Sequence, residues 1–181
     1  MKFIKSFLVL AFSILAFSTV YVLGQSYGSK ESFPSRSIEG QVIKQILRLP
    51  YYGVLDQISF KVEDNAVTLY GKVVEPTTKS SAGRVVKRIK GVTDVINRIE
   101  VLPFSSFDHG IRDRTLRTLS NRGGLYRYFL GSNPAVRIIV ERGHVWLEGY
   151  VANRGDYNLM NILANGVSGV FSVTNNLVVE E

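Results

Sequence analysis

One block of sequence occurs twice in this chain, and that repetition limits the fold more than any other feature. Val67, Leu69, Gly71 and Val73 in the run AVTLYGKV return as Val145, Leu147, Gly149 and Val151 in HVWLEGYV. The offset, 149 less 71, is 78 residues. At the same offset Gly91, Val92, Val95, Asn97, Ile99 and Val101 meet Gly169, Val170, Val173, Asn175, Leu177 and Val179. Two blocks in register with no gap between them imply one supersecondary unit used twice.

Each copy reads as the same series of elements. In the first, Ile38, Val42, Ile43, Ile46 and Leu47 recur on one helical face, and Pro50 ends that helix. Ile58, Phe60 and Val62 alternate, Asp64 and Asn65 are turn residues, and Val67, Leu69 and Val73 alternate again, which predicts a hairpin. Pro76 suits the first turn of a second helix, whose apolar stripe is Ala82, Val85, Val86 and Ile89. Gly91 caps it, and a third strand runs from Val95 to Val101. The second copy has Ile111, Leu116 and Leu119 on its first helix, Ile138 and Val140 before a turn at Arg142 and Gly143, and Leu159 and Leu163 on its second helix. It differs in a longer loop, residues 123–134, which holds Leu125, Tyr126, Tyr128, Phe129 and Leu130.

The predicted fold class is α+β: two tandem αββαβ modules, each a three-stranded mixed sheet with two helices on one face. The last strand follows a crossover helix and should run parallel to the second, leaving the other sheet face open. The modules are expected at residues 37–103 and 107–181, with residues 104–106 as linker. A core this thin barely offsets chain entropy, so pairing the two copies would help both.

The Val-x-Leu-x-Gly-x-Val strands and the Gly-Val-x-x-Val-x-Asn-x-Ile/Leu-x-Val endings resemble those of the BON domain, named for bacterial osmotically induced and nodulation proteins. The resemblance implies an αββαβ module of envelope proteins, often in tandem, that binds phospholipid or supports envelope integrity and transport. Double-BON outer-membrane lipoproteins are similar in layout but carry a lipidated cysteine, and this chain has no cysteine. In such relatives the first helix of the second module is implicated in contacting anionic lipid, which corresponds here to residues 111–122.

The N-terminus carries an export signature. Residues 1–24 have the layout of a signal peptide, with Lys2 and Lys5 before an apolar run broken only by Ser13 between Phe7 and Phe17. Val22 and Gly24 fit cleavage before Gln25, and Ala16 and Ser18 fit it before Thr19. The alternative is an uncleaved inner-membrane anchor, because residues 6–23 are uncharged and only slightly shorter than the roughly 20 that span a bilayer. Residues 25–36 read as a flexible spacer. Periplasm or cell envelope is the expected location.

Without Lys2 and Lys5, the 22 basic residues become 20 against 15 acidic, a net charge of +5. That excess favours anionic partners. The lack of cysteine excludes thiol catalysis, disulfides and cysteine-based zinc sites. His109 and His144 accompany no metal-ligand or nucleophile pattern, no phosphate-cradling glycine loop is present, and the carboxylates are scattered. The expectation is a protein that is not an enzyme, with no metal and no cofactor. Nucleic acid is not an expected partner of an exported chain.

The candidate lipid-binding residues are Arg112, Arg114, Arg117 and Arg122 with Tyr126, Tyr128 and Phe129 in the following loop, where head-group charge sits beside interfacial aromatics. At helical spacing Arg114 and Arg117 lie opposite Ile111 and Leu119, whereas Arg112 falls on the apolar side. The competing interpretation is a solvated helix face with a loop that completes a small core. Arg84, Lys87, Arg88 and Lys90 form a weaker basic cluster on the wet side of their helix. Trp146 and Tyr150 have the parity of the open sheet face and mark a contact surface, either for the other module or for an envelope protein partner. Gly71, Gly91, Gly149 and Gly169 have backbone roles, and Asn97 and Asn175 are expected to bond to neighbouring backbone.

Overall fold

A computed structural model of the chain describes residues 36–180. The signal-peptide reading and almost all of the spacer lie outside them. The first module is α1 (Ile38–Ile46), β1 (Gln57–Glu63), β2 (Ala66–Val73), α2 (Pro76–Lys87), β3 (Asp94–Asn97) and β4 (Glu100–Val101). The second is α3 (Ser106–Ser120), a 3-10 turn at Leu125–Phe129, β5 (Val136–Glu141), β6 (His144–Val151), α4 (Arg154–Asn165) and β7 (Ser172–Val179).

Local chemistry accounts for the element ends. The Ser37 hydroxyl caps α1 by accepting from Gly40 N, Ser105 caps α3 through Asp108 N, and Asn153 caps α4 through Asp156 N. Pro76 opens α2, where its missing N–H costs nothing. Asp64 and Asn65 both take positive φ in the first hairpin turn, as do Arg142 and Gly143 in the second.

Both sheets have the expected topology. β1 and β2 are antiparallel, and β3 and β4 run parallel to β2. β5 and β6 are antiparallel, and β7 runs parallel to β6. Two details correct the sequence reading. The third strand of the first copy is divided into β3 and β4 at Arg98 and Ile99, whereas β7 is continuous. α3 starts at Ser106, inside the segment read as linker.

Each module has its own core. In the first, Val42 and Ile46 of α1 and Ala82 and Val86 of α2 pack on Ile58, Val67, Leu69 and Val73. In the second, Ile111 and Leu119 of α3 and Met160 and Ala164 of α4 pack on Ile138, Val145, Leu147 and Val151. Leu159 and Leu163, read as the stripe of α4, only flank that core. The buried pair is Met160 and Ala164, which stand 78 residues after Ala82 and Val86.

The repeated glycines and asparagines act on the backbone. Gly71 and Gly149 take φ +116° and +113°, and a Cβ there would lie 2.0 Å from the carbonyl oxygen of Gln57 or Ala135. Gly91 and Gly169 also have positive φ where the chain leaves α2 and α4. Asn97 donates to the Lys79 carbonyl at 2.8 Å while its Oδ1 accepts from Ile99 N at 3.2 Å. Asn175 does the same with Tyr157 and Leu177, each at 3.2 Å. Each asparagine thus ties the third strand to the crossover helix of its module.

The two modules meet over the sheet face left open in the second. β5 is buried from Val136 to Val140, so it is covered on both sides. Arg137 Nη1 donates to the carbonyls of Gly53 at 2.6 Å and Asp56 at 3.2 Å, and Ile138 N donates to Val54 O at 2.7 Å. Val54 and Leu55 pack against the second core. Lys72 forms an ion pair with Glu141 and lies 5.2 Å over the Trp146 ring. Trp146 and Tyr150, on the face away from the helices, are half-buried, and Trp146 is a contact between modules.

Candidate functional site

The surface of interest is built on α3, and the residues that hold this helix in place differ from those it displays. Asp108 is buried, and its two carboxylate oxygens accept from Arg142 N and Gly143 N, both at 2.8 Å. One turn later Arg112 Nη2 donates to Val140 O at 2.6 Å. Burial lowers the pKa of this guanidinium from its ordinary value, and Asp108 is the largest opposing influence. The two side chains clamp α3 to the β5–β6 hairpin. Arg112, one of the four arginines offered for head-group contact, is therefore removed from the surface, 4% exposed.

Arg114 lies on the outer side. Its Nε donates to Ser168 O at 3.1 Å, which draws it across the loop between α4 and β7. Phe107, in the first turn of α3, is 47% exposed, and Phe171, just before β7, is 70% exposed. Their ring centroids are 5.8 Å apart. Phe171 also packs against Gly143, and its ring lies 6.1 Å from that of His144. Gly169 fits below this group: a Cβ there would be 3.2 Å from Arg114 Nη2 and 3.5 Å from the Phe107 ring. The result is an exposed aromatic pair edged by Arg114, with Arg142 exposed in the adjacent turn.

The rest of the sequence-predicted set divides between surface and scaffold. Arg117 is exposed and stands 3.8 Å from Asp113. Arg122 and Tyr126 are exposed beyond the C-terminal end of α3, a helix length from Phe107. Tyr128 is buried: its hydroxyl accepts from Ala152 N at 2.9 Å and donates to Asp156 at 2.5 Å. Phe129 is half-buried and lines a cleft between the modules with Tyr51 and Tyr52. The loop thus completes the core at Leu125 and Tyr128, leaving only part of it for a ligand. Arg84, Lys87, Arg88 and Lys90 are all exposed, but only Arg88 and Lys90 share a depression with α1.

Sequence reasoning missed Phe107, Phe171 and Arg142. The available signal was a departure from the repeat, since Phe171 stands 78 residues after the polar Thr93. Among the described residues no group of three or more His, Asp or Glu side chains is placed to hold a metal ion. No described helix is long and apolar enough to cross a membrane.

Two αββαβ units, joined where the 51–56 loop of the first docks on β5 of the second, define a tandem α+β module with an exposed aromatic–basic surface. The BON domain signature matches residues 36–103 and again residues 109–181, and the chain belongs to the BON domain family. Comparison with curated proteins finds no match. Among solved structures, the C-terminal domain of CdsD, the structural protein of the Type III secretion system of Chlamydia trachomatis, aligns at 13% identity over 77% of this chain and 98% of that one, with a TM-score of 0.26. A second structure of CdsD gives the same identity and TM-score over 78% and 94%. At these values neither bears on function.

Proposed function

We propose that the chain is a non-catalytic bacterial envelope module that associates peripherally with anionic phospholipid and supports envelope integrity or transport. One observation carries this reading: the Phe107–Phe171 pair stands exposed beside Arg114 on α3. Aromatic side chains partition into the head-group boundary, and each nearby cation adds about 1 kcal/mol at an anionic surface. Family membership and the basic balance of the chain support the same reading, as does an export signature at its start. The contact would comprise Phe107, Phe171, Arg114 and Arg117, with Arg122 and Tyr126 at its margin. An envelope protein acting through Trp146 and Tyr150 is less well supported, because Lys72 of the first module already lies over Trp146.

Vesicle flotation tests this. Binding should require acidic lipid, weaken with salt, and be lost in Arg114→Glu/Arg117→Glu and in Phe107→Ser/Phe171→Ser. Equal flotation with acidic and zwitterionic vesicles would reject the reading.

A further inference from the structure

Gln41, Lys44 and Gln45 of α1 and Arg48 of the turn that follows it stand at i, i+3, i+4 and i+7 on one side, away from the buried Val42 and Ile46. Two adjoining depressions of about 340 and 390 Å³ open on this face, with Gln41 and Gln45 common to both. Arg36, Lys44 and Arg48 line the first; Arg88 and Lys90, from the end of α2, line the second. No carboxylate lines either one. Among the described residues none of these five cations forms an ion pair, and the Gln45 side-chain amide makes no hydrogen bond.

Basic residues at helix ends ordinarily offset the helix dipole. Each C-terminus presents only about half a negative charge, so the ends of α1 and α2 account for roughly one unit, against five positive charges in the groove. The excess has no partner within the described residues.

We propose that this groove is a binding site for phosphoryl groups, distinct from the α3 surface of the second module. Arginine forks pair with phosphate oxygens bidentately, lysines add point charges, and the Gln45 amide can donate to a further oxygen. Two lobes of this size suit a ligand with more than one phosphate. Such groups could belong to lipid head groups or to a soluble phosphorylated molecule.

The test uses the full chain, inorganic tripolyphosphate, and vesicles of phosphatidylglycerol in phosphatidylcholine. Tripolyphosphate should shift the amide resonances of residues 41–48 and 85–90, and Arg48→Glu/Arg88→Glu should weaken its binding by about tenfold or more. The neutral pair Arg48→Gln/Arg88→Gln should give a smaller loss, and Arg114→Glu/Arg117→Glu should give none. Vesicle binding that is weaker in Arg48→Glu/Arg88→Glu than in the natural chain, with the α3 surface left intact, and that perturbs the amides of residues 41–48 and 85–90, identifies lipid as the source. A response to tripolyphosphate alone identifies a soluble ligand. If neither probe perturbs these amides, or if the charge-reversed groove binds undiminished, the proposal is overturned, whatever the α3 variants show.

Discussion

The guanidinium of Arg137 lies 4.2 Å from the ring centroid of Tyr52, so a β5 side chain of the second module is stacked on an aromatic of the first. The same group donates to two carbonyls of the loop that follows Tyr52, and Arg137 is 4% exposed. Burial raises the pKa of the Tyr52 hydroxyl, the nearby arginine being the largest counter-influence, and that hydroxyl accepts from Ile58 N. A charge buried against carbonyl oxygens and a π-face is held by all of these together, and truncating it leaves the acceptors unpaired.

Arg137→Ala should therefore cost about 2–4 kcal/mol and uncouple the modules. Trp146 is the only tryptophan, so fluorescence reports the second module and its contact with Lys72, while far-UV circular dichroism reports both modules. In urea the two signals should coincide for the natural chain and separate for Arg137→Ala. Arg137→Lys should not restore coincidence, because one ammonium cannot stack and reach both carbonyls. Coincident curves in both variants would show that other contacts carry the joint.

Glu148 gives the fold a pH dependence of defined sign. Burial raises its carboxyl above the ordinary 4.5, with the hydrogen bond from Asn176 acting in the opposite direction. The folded state then holds this proton to higher pH than the unfolded state does. Its contribution is complete below about pH 4.5 and is lost as pH rises through the raised value. Glu148→Gln keeps an oxygen for Asn176 and removes the half-buried charge. Its denaturation midpoint should exceed that of the natural chain at pH 7 and match it at pH 3. Asp56, also raised by burial, has the same sign and remains in both proteins.

Asn97→Ala and Asn175→Ala should each cost about 1–3 kcal/mol, since each removes one donor and one acceptor between a third strand and its helix. Replacement by Asp should be at least as damaging, because a carboxylate cannot donate to the Lys79 or Tyr157 carbonyl. Equilibrium unfolding of the two single variants and the double variant checks this. The sites lie in different modules, so the two losses should add.

The repeat explains why so much of this fold was legible. Period-two runs at Val67 and Val145 gave β2 and β6, and the crossover helix made the third strand parallel to the second. Met160 was also within reach, by carrying Ala82 forward along the repeat, but a stripe drawn through the two leucines of α4 passed beside it. The site was harder to read because its geometry depends on distant partners. Helical spacing put Arg112 on the apolar side of α3, yet only the fold brings Val140 O, 28 residues away, to receive it. Phe107 and Phe171 become neighbours only when α3 packs on the loop that precedes β7. The joint was least visible, because residues 51–56 carry no periodicity that would announce a loop docking on a sheet.

Gly71→Ala and Gly149→Ala should each destabilise by about 3 kcal/mol or more, since both the positive φ and the neighbouring carbonyl exclude a Cβ. Gly53→Ala is the matched control. A Cβ there meets nothing within 4 Å, so its effect should stay within about 1 kcal/mol of the natural chain. Thermal denaturation of the three proteins distinguishes a conformational requirement from a general intolerance of glycine replacement.

The arginines of α3 provide the sharpest separation of folding from binding. Arg112→Ala leaves Val140 O without its donor and removes the positive charge that Asp108 stabilises, and should cost about 2–4 kcal/mol. Its remaining folded molecules should still float with acidic vesicles, because the Phe107–Phe171 surface is intact. Arg114→Glu/Arg117→Glu should behave in the opposite way, with a near-natural unfolding midpoint and no flotation, since both side chains are exposed. Midpoints and vesicle binding measured on the same preparations decide the matter. If Arg112→Ala stays folded but loses lipid, that arginine reaches head groups in solution, and the division of α3 into a clamping side and a binding side is wrong.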